Sequence, residues 1–246
     1  MIILSLAFII SVMDIKKQAE DLFLWAKSQY DGDASKWEAH SINAARAAEW
    51  IAAYVQKNQL KNGVEAAQTL DPAQAYACGY LHDIGRYKGP GAGLLHALIG
   101  REVLMAHDMP VAAQTAMTHT YYGYKEIDRT EFWDEIGDET AVKQIRDYME
   151  KVELTDYDRL IQLVDNMAHH SGIMTINDRF CDIVVRHGVR DVQAHLKHLF
   201  GLKAYFDEKA GINLYELFKD DIIRTTMMDP NSGKMIHQVR KYHDQD

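Results

Sequence analysis

Apolar residues recur at intervals of three and four along nearly the whole chain, and only four prolines interrupt its 246 residues. That spacing is typical of amphipathic helices, whereas strands would need strict alternation. The stretch WEAHSINAARAAEWIAAYVQ (37–56) is the plainest example, because it is rich in alanine and keeps its apolar residues on one face. Nothing in the sequence predicts a confident strand, an internal repeat or a linker long enough to separate domains. The sequence therefore predicts an all-α, single-domain helical bundle.

Signals for the starts and ends of helices divide the chain further. Asp71 can cap a helix whose first turn holds Pro72, and that helix should end near His82 and Asp83, where Gly85 and the segment KGPGAG follow. Three of the other predicted helices open with an Asp or Thr suited to capping. These other helices are predicted at 93–108, 109–120, 138–152, 155–170, 175–188, 189–211 and 213–221.

The charge and cysteine content limit the function classes. A net charge of −9 argues against a nucleic-acid polymer as partner, because neutralising its phosphates requires an excess of Lys and Arg. A nucleotide could still be held by a few cations or a metal. Two cysteines, Cys78 and Cys181, are too few for a disulfide framework and are typical of buried thiols in a cytoplasmic protein.

The first thirteen residues, MIILSLAFIISVM, form an apolar run that allows three interpretations. It is shorter than the roughly 20 residues that cross a bilayer, and it lacks the basic start and cleavage site of a signal peptide. An early start codon before Met13, a first helix in the core and a membrane anchor are the alternatives. The length favours the first two, so we expect a protein without a membrane partner.

Six potential metal ligands stand out because they are polar groups in apolar or small-residue surroundings. A buried carboxylate or imidazole is costly unless it is paired or bound to a metal. Any one of them alone is more often an ordinary packed residue than a ligand, so their joint occurrence carries the inference. They are His40, His82, Asp83, His96, His119 and Asp165.

The order of these residues resembles the H…HD…D pattern of the HD superfamily of metal-dependent phosphohydrolases. The segments WEAHSINAARAAEWIA, YLHDIGR and LIQLVDNMA resemble its three signature segments. LLHALIGREVL and AMTHT resemble the two additional His segments of the subgroup that binds two metals. The resemblance covers about residues 36–170 and implies an HD-type bundle there. A helical region at 1–35 would precede this core, and 171–246 would be a helical extension of the same domain.

The resemblance implies a ligand set and a reaction. Four residues would hold a first metal: His40, His82, Asp83 and Asp165. Asp83 would also bridge to a second metal held by His96 and His119. One or two divalent transition metals (Fe, Mn, Co, Ni or Zn) suit these ligands and would activate a water for attack on phosphorus.

Two departures from the family pattern concern the same region. Some two-metal relatives carry a second His directly after the fifth ligand, where this chain has Thr120. Many relatives have Lys three residues after the Asp, where this chain has Arg86. Arg86 has a planar fork suited to phosphate and cannot release a proton, so we assign it phosphate clamping beside the catalytic Asp83. The alternative is a surface cation near a helix C-terminus.

Other candidates have weaker support. His169, one helical turn after Asp165, is predicted to reach the same cleft. Arg179 and Arg186 share a helix face and could direct a cation toward the site, although a structural salt bridge is the favoured interpretation. Three tyrosines could form one wall of a nucleobase site or pack within the protein, and packing is the favoured interpretation. They are Tyr121, Tyr122 and Tyr124. Three methionines are predicted to fill the core: Met105, Met117 and Met167.

These inferences together predict an HD-type enzyme that hydrolyses a phosphate ester or anhydride of a small substrate, a nucleotide above all. Two alternatives belong to other classes. One is a non-catalytic HD-like regulatory or binding module, which the complete ligand set disfavours. The other is an HD-type di-iron oxygenase, which would consume oxygen. No oligomeric state is predicted.

Overall fold

The computed structural model describes residues 2–128 and 130–226, and helices dominate this part of the chain. The prediction of an all-α fold is confirmed, with one two-stranded exception. The α-helices are α1 (Ile2–Gln29), α2 (Ser35–Lys61), α3 (Pro72–Leu81), α4 (His96–Ala106), α5 (Pro110–Thr118), α6 (Thr130–Ile136), α7 (Glu139–Met149), α8 (Asp156–Asp165), α9 (Ile176–His187), α10 (Val192–Ala210), α11 (Leu214–Leu217) and α12 (Lys219–Thr226). Short 3-10 helices are η1 (Ala66–Gln68), η2 (Ile84–Lys88) and η3 (Pro90–Leu95), and the strands are β1 (Ala168–His169) and β2 (Gly172–Ile173).

The predicted caps begin their helices as expected. The Asp71 carboxylate accepts hydrogen bonds from the backbone N–H groups of Ala73 and Gln74, with Pro72 at the first helical position. Asp138 caps α7, and Thr155 and Thr175 cap α8 and α9. Because these side chains satisfy N–H groups that lack partners within the helix, local sequence was enough to place these starts.

Small residues let α2 and α3 pack at very short range. A Cβ added to Gly79 would lie 2.8 Å from both the carbonyl O of Ala44 and the Cα of Ala45. The face of α2 buried here is built mainly from alanines. This close packing sets His40 of α2 beside His82 at the end of α3.

A second close approach joins η2 to α4. A Cβ added to Gly85 would lie 2.0 Å from the carbonyl O of His96. Gly85 was predicted only as a helix breaker, but no other residue fits between these two backbones. Its absence of a side chain brings Asp83 next to His96.

The main core lies among α1, α2, α3, α5, α8 and α10, with Phe23, Leu81, Leu160 and Phe206 completely buried. A smaller cluster forms where α7 packs on α4 and α5, and it includes Met117. Tyr121 and Tyr122 are buried. Their packing interpretation is therefore the one that the structure supports.

The hairpin of β1 and β2 corrects the prediction of a helix over 155–170. Helix α8 ends at Asp165, and β1 pairs with β2 so that Ala168 lies opposite Ile173 and His169 opposite Gly172. The side-chain amide of Asn166 donates to the carbonyl O of Gln162 at 2.9 Å, which satisfies a group at the helix end. The apolar pattern continues past residue 165, so the sequence alone did not show this end.

Two burial predictions were wrong. Cys78 is buried, as expected, but Cys181 is exposed on α9; both are free thiols. Met105 has 47% of its surface exposed. It follows the buried Leu104 on α4, and one residue further along a helix turns the side chain by about 100°.

The structure describes only part of the predicted N-terminal region and C-terminal extension. Helix α10 packs on α2 and α8, so the helices after 171 bury part of their surface against the central bundle. Residues 227–246 of the proposed C-terminal extension lie outside the described residues, and so do the side chains of the apolar segment at 1–13. The division into regions 1–35, 36–170 and 171–246 stays a prediction. Within the described part, no helix combines the length and apolar character that a membrane span requires.

Candidate metal centre

The ends of three helices bring His40, His82 and Asp165 together. His40 Nε2 lies 3.0 Å from His82 Nε2 and 3.2 Å from Asp165 Oδ1. His82 Nε2 lies 3.6 Å from the same Asp165 oxygen. Their ligand atoms all lie within 4.8 Å of one another, which is close enough for one ion to contact all three.

A second group lies around the next residue in the chain, Asp83. Its Oδ1 is 3.0 Å from His96 Nε2 and 3.5 Å from His119 Nε2. The two imidazole nitrogens are themselves 3.1 Å apart. His96 begins α4 and His119 directly follows α5, so the antiparallel packing of these two helices brings both rings together at the end away from the turn that joins them.

The two oxygens of Asp83 face the two groups separately. Oδ2 lies 3.8 Å from His40 Nε2 and 3.7 Å from His82 Nε2, while Oδ1 faces His96 and His119. Oδ1 is buried and has no hydrogen-bond donor among the residues that the structure describes. A carboxylate in this position can bind one cation through each oxygen.

Backbone contacts orient three of the histidine rings in the same way. In each ring, Nδ1 lies within hydrogen-bond distance of a carbonyl O three residues earlier, and a carbonyl can only accept. Nδ1 therefore carries the proton, and a neutral ring turns the Nε2 lone pair toward the centre. The Nδ1 contacts are His82 to Gly79 at 2.7 Å, His96 to Gly93 at 2.6 Å and His119 to Ala116 at 2.8 Å.

The charges also favour cation binding. Burial alone would raise the pKa of the Asp83 carboxyl, but Arg86, His82 and His96 hold that pKa well below its usual range. Burial acts the same way on Asp165, and the neighbouring rings of His40 and His82 outweigh it and lower its pKa. Burial, followed by the charge of Arg86, lowers the pKa of His96 to about 4. At neutral pH both carboxylates are therefore ionised and His96 is neutral, the forms that bind metals. Burial alone would lower the pKa of His82, but Asp83 and Asp165 raise it, so a metal bound there would displace a proton from this ring.

The donor set fits divalent cations. His96 Nε2 and His119 Nε2 lie 3.1 Å apart, and the buried Asp83 Oδ1 next to them lacks a donor among the described residues. A cation between these atoms would bind both ring nitrogens and satisfy the carboxylate. Imidazole and carboxylate ligands suit transition metals such as Fe, Mn, Co, Ni and Zn. All six predicted ligands thus lie in one centre, and their binding of metal stays a prediction.

Arg86 contacts the centre through Asp83. Its Nε donates to Asp83 Oδ2 at 2.6 Å, and 46% of its side chain is exposed. Arg86 therefore lies at the edge of the centre, with part of its guanidinium accessible. Its proposed contact with phosphate is not tested by this geometry.

Thr120 is a member of the site that the sequence did not assign. Its hydroxyl lies 3.0 Å from His119 Nε2 and 3.3 Å from His96 Nε2. The only signal was its position directly after His119, where some relatives carry a histidine. The hydroxyl can donate to one of the two lone pairs.

His169 does not lie one helical turn beyond Asp165, because the helix has already ended and His169 belongs to β1. Its Nδ1 lies 2.7 Å from the Ser171 hydroxyl. Burial, followed by the neighbouring His170, lowers its pKa to about 3. His169 is thus a buried ring in a strand, and the helical argument for its reaching the cleft was wrong.

Comparison with protein families gives one match. A model of the HD domain family matches residues 37–169, which is more than half of the chain. Comparison with curated proteins and with solved structures gives no match. The matched segment contains all six predicted ligands, from His40 to Asp165.

Proposed function

Because the chain belongs to the HD domain family, we propose that it is a metal-dependent hydrolase of phosphate esters or anhydrides. The position of Asp83 supports this proposal most strongly. Its two oxygens face two separate groups of histidine Nε2 atoms, and the buried Oδ1 lacks a donor within the described residues. Burying a carboxylate in these surroundings is costly unless cations bind to its oxygens, and its two oxygens can bind one cation each.

The proposed centre divides its ligands between two positions. The first would use His40, His82 and Asp165 with Asp83 Oδ2, and the second would use His96 and His119 with Asp83 Oδ1. Divalent cations bound there would supply an activated water and would neutralise charge on the phosphoryl oxygens. One or two ions are compatible with the ligand set.

The residues of this chain would have separate tasks. Asp83 holds the two ligand groups in register, and the hydrogen bonds from Nδ1 of His82, His96 and His119 fix their rings so that Nε2 faces inward. Arg86 is held by Asp83 through Nε, which leaves the rest of its fork to contact phosphoryl oxygens at the exposed edge. Because Arg does not release a proton, its role is binding and charge neutralisation.

A small phosphorylated substrate, specifically a nucleotide, and a cytoplasmic location complete the proposal. The family resemblance supports the substrate class. The net charge of −9 supports a small substrate over a nucleic-acid polymer. The two cysteines are free thiols, in keeping with the proposed compartment.

Metal analysis and a substrate panel test the proposal together. Protein purified without chelator should contain divalent metal and should hydrolyse members of a phosphomonoester, phosphodiester and nucleotide panel. Asp83→Asn should lose both properties, whereas Asp147→Asn, at an exposed ion pair with Lys143, should keep both. Metal without phosphate release, but with oxygen consumption, would support the oxygenase alternative. Absence of both bound metal and hydrolysis would support the non-catalytic module.

A further inference from the structure

Helix α9 carries two arginines that share one acidic partner. Arg179 Nη1 donates to Asp182 Oδ2 at 2.7 Å, and Arg186 donates to both oxygens of Asp182, at 3.1 Å from Nε and 2.7 Å from Nη2. The salt bridge predicted from the sequence is therefore present. One carboxylate balances only one of the two cations, so the group keeps a net positive charge.

Arg179 differs from Arg186 because it is buried and one of its hydrogen-bond donors has no acceptor within the described residues. Only 9% of its surface is exposed, and its Nε has no hydrogen-bond partner within the described residues. A guanidinium offers five donors in a fixed plane, and buried donors without partners are rare in folded proteins. An anion that accepted from Nε would complete the coordination of this side chain.

The hairpin of β1 and β2, which directly precedes α9, packs against α2 near His40. Asn43, three residues after His40 on α2, donates to the carbonyl O of His169 at 2.7 Å, which fixes β1 against the same helix face. Burial lowers the pKa of Arg179, and Asp165 is the first of the charges that oppose this effect. The charge of Arg179 therefore interacts with that of Asp165, a ligand of the proposed first metal.

His187 ends α9 among charges from three elements. Burial lowers the pKa of His187, Arg186, Arg86 and Arg179 lower it further, and Glu135 opposes them. Arg86 itself contacts Asp83. The guanidinium that contacts Asp83 and the two guanidiniums of α9 thus influence the same ring.

We propose that Arg179 and Arg186 form an anion subsite beside the metal centre that binds a second, non-scissile phosphate of the substrate. This inference rests on the proposed function and narrows its substrate class to compounds with two or more linked phosphates. Arg179 would donate through Nε to that phosphate, while Asp182 holds both guanidiniums in place.

Two non-hydrolysable probes test the subsite by isothermal titration calorimetry on the full, metal-loaded chain. Methylenediphosphonate carries two linked phosphonates, and methylphosphonate carries one. Wild type should bind the diphosphonate more tightly, and Arg179→Gln or Arg186→Gln should each reduce that preference by about tenfold to a hundredfold. Arg159→Gln serves as control, since Arg159 pairs with Asp156 on α8. It should leave the preference unchanged.

The outcomes separate this inference from the proposed function. Equal preference in wild type and in both α9 variants would overturn the subsite, even if the protein hydrolyses phosphate esters. Loss of preference in Arg186→Gln, which changes a half-exposed side chain, would support it even if Arg179→Gln does not fold. Failure of the proposed function would appear separately, as the absence of hydrolysis across the substrate panel.

Discussion

Two buried aspartates in this protein, Asp83 and Asp158, have opposite surroundings. Asp158 has no exposed surface, and donors meet both of its oxygens. The Thr118 hydroxyl donates to Oδ1 at 2.6 Å. Oδ2 accepts from the Gln114 amide at 2.7 Å, from the Thr155 backbone N–H at 2.7 Å and from the Thr155 hydroxyl at 2.6 Å.

Asp83 is almost as deeply buried, with 4% of its surface exposed, but imidazole nitrogens surround it instead of amides and hydroxyls. Arg86 donates to Oδ2, and Oδ1 has no donor in the described part of the chain. The protein satisfies the charge of Asp158 by itself. It leaves the charge of Asp83 for a cation to satisfy, and this contrast separates a structural carboxylate from a candidate functional one.

The largest expected effect is on activity and belongs to Asp83. Asp83→Asn removes the charge that both ligand groups share, so kcat/KM on any substrate that wild type hydrolyses should fall by about a thousandfold or more. The free energy of unfolding measured in chelator should fall by only about 1 kcal/mol, because the half-exposed Arg86 guanidinium can be solvated when its partner loses its charge. A variant that unfolds without metal would contradict the contrast with Asp158.

The next largest effect is on stability and belongs to Asp158. Asp158→Ala leaves several buried donors without an acceptor, so the free energy of unfolding should fall by about 3 kcal/mol in urea denaturation. Asp178→Ala is a matched control, since Thr175 and Asp178 form a similar contact at the exposed start of α9. It should cost under about 1 kcal/mol. Equal losses in the two variants would show that capping, and not burial, sets the cost.

Metal removal should reveal the same contrast in the wild-type protein. With free metal at about a hundred times Kd, binding to the folded state adds about 2.7 kcal/mol, which chelation should abolish. Thermal denaturation with and without chelator measures this difference. Asp83→Asn should show almost no chelator effect, whereas a conservative Asp178→Asn should retain all of it. If chelator destabilised Asp83→Asn as much as wild type, the metal would be bound elsewhere.

The smallest effect concerns Asp156, a partly exposed aspartate whose partners include two cations, Arg159 and Lys209. Burial raises its pKa, but hydrogen bonds from Lys209 and Tyr205 outweigh this and lower the pKa below 3.8. The ionised form therefore stabilises the fold above pH 3.8, and this stabilisation is lost as the pH falls through the lowered pKa. Asp156→Asn should cost about 0.5 kcal/mol at pH 7 and nothing at the lowest pH. A constant difference across a pH series of urea denaturations would contradict this assignment.

The sequence was most informative where local chemistry decides the structure. Helix starts at Asp71, Asp138, Thr155 and Thr175 follow from capping, which depends on only a few neighbouring residues. The fold class followed from apolar spacing. The six candidate ligands could be selected because polar groups in apolar runs are costly, and a family pattern then ordered them.

The failures concern contacts between distant segments. The end of α8 at Asp165 depends on a hairpin whose second strand is several residues further on, and the apolar pattern gives no sign of it. Exposure of Cys181 and Met105 depends on which helix faces are covered by others. The close approach of Gly85 to His96, which brings Asp83 next to His96, is visible only in the three-dimensional structure.

Anomalous scattering from crystals of protein purified without chelator tests the central claim most directly, since it locates and identifies bound metal in one measurement. We expect a peak within bonding distance of Asp83 and of histidine Nε2 atoms, either beside His40 and His82 or beside His96 and His119. Occupancy on both sides would show Asp83 as a bridge. A metal-supplemented crystal with no peak near Asp83, and with its Oδ1 hydrogen-bonded only to water or protein, would contradict the account.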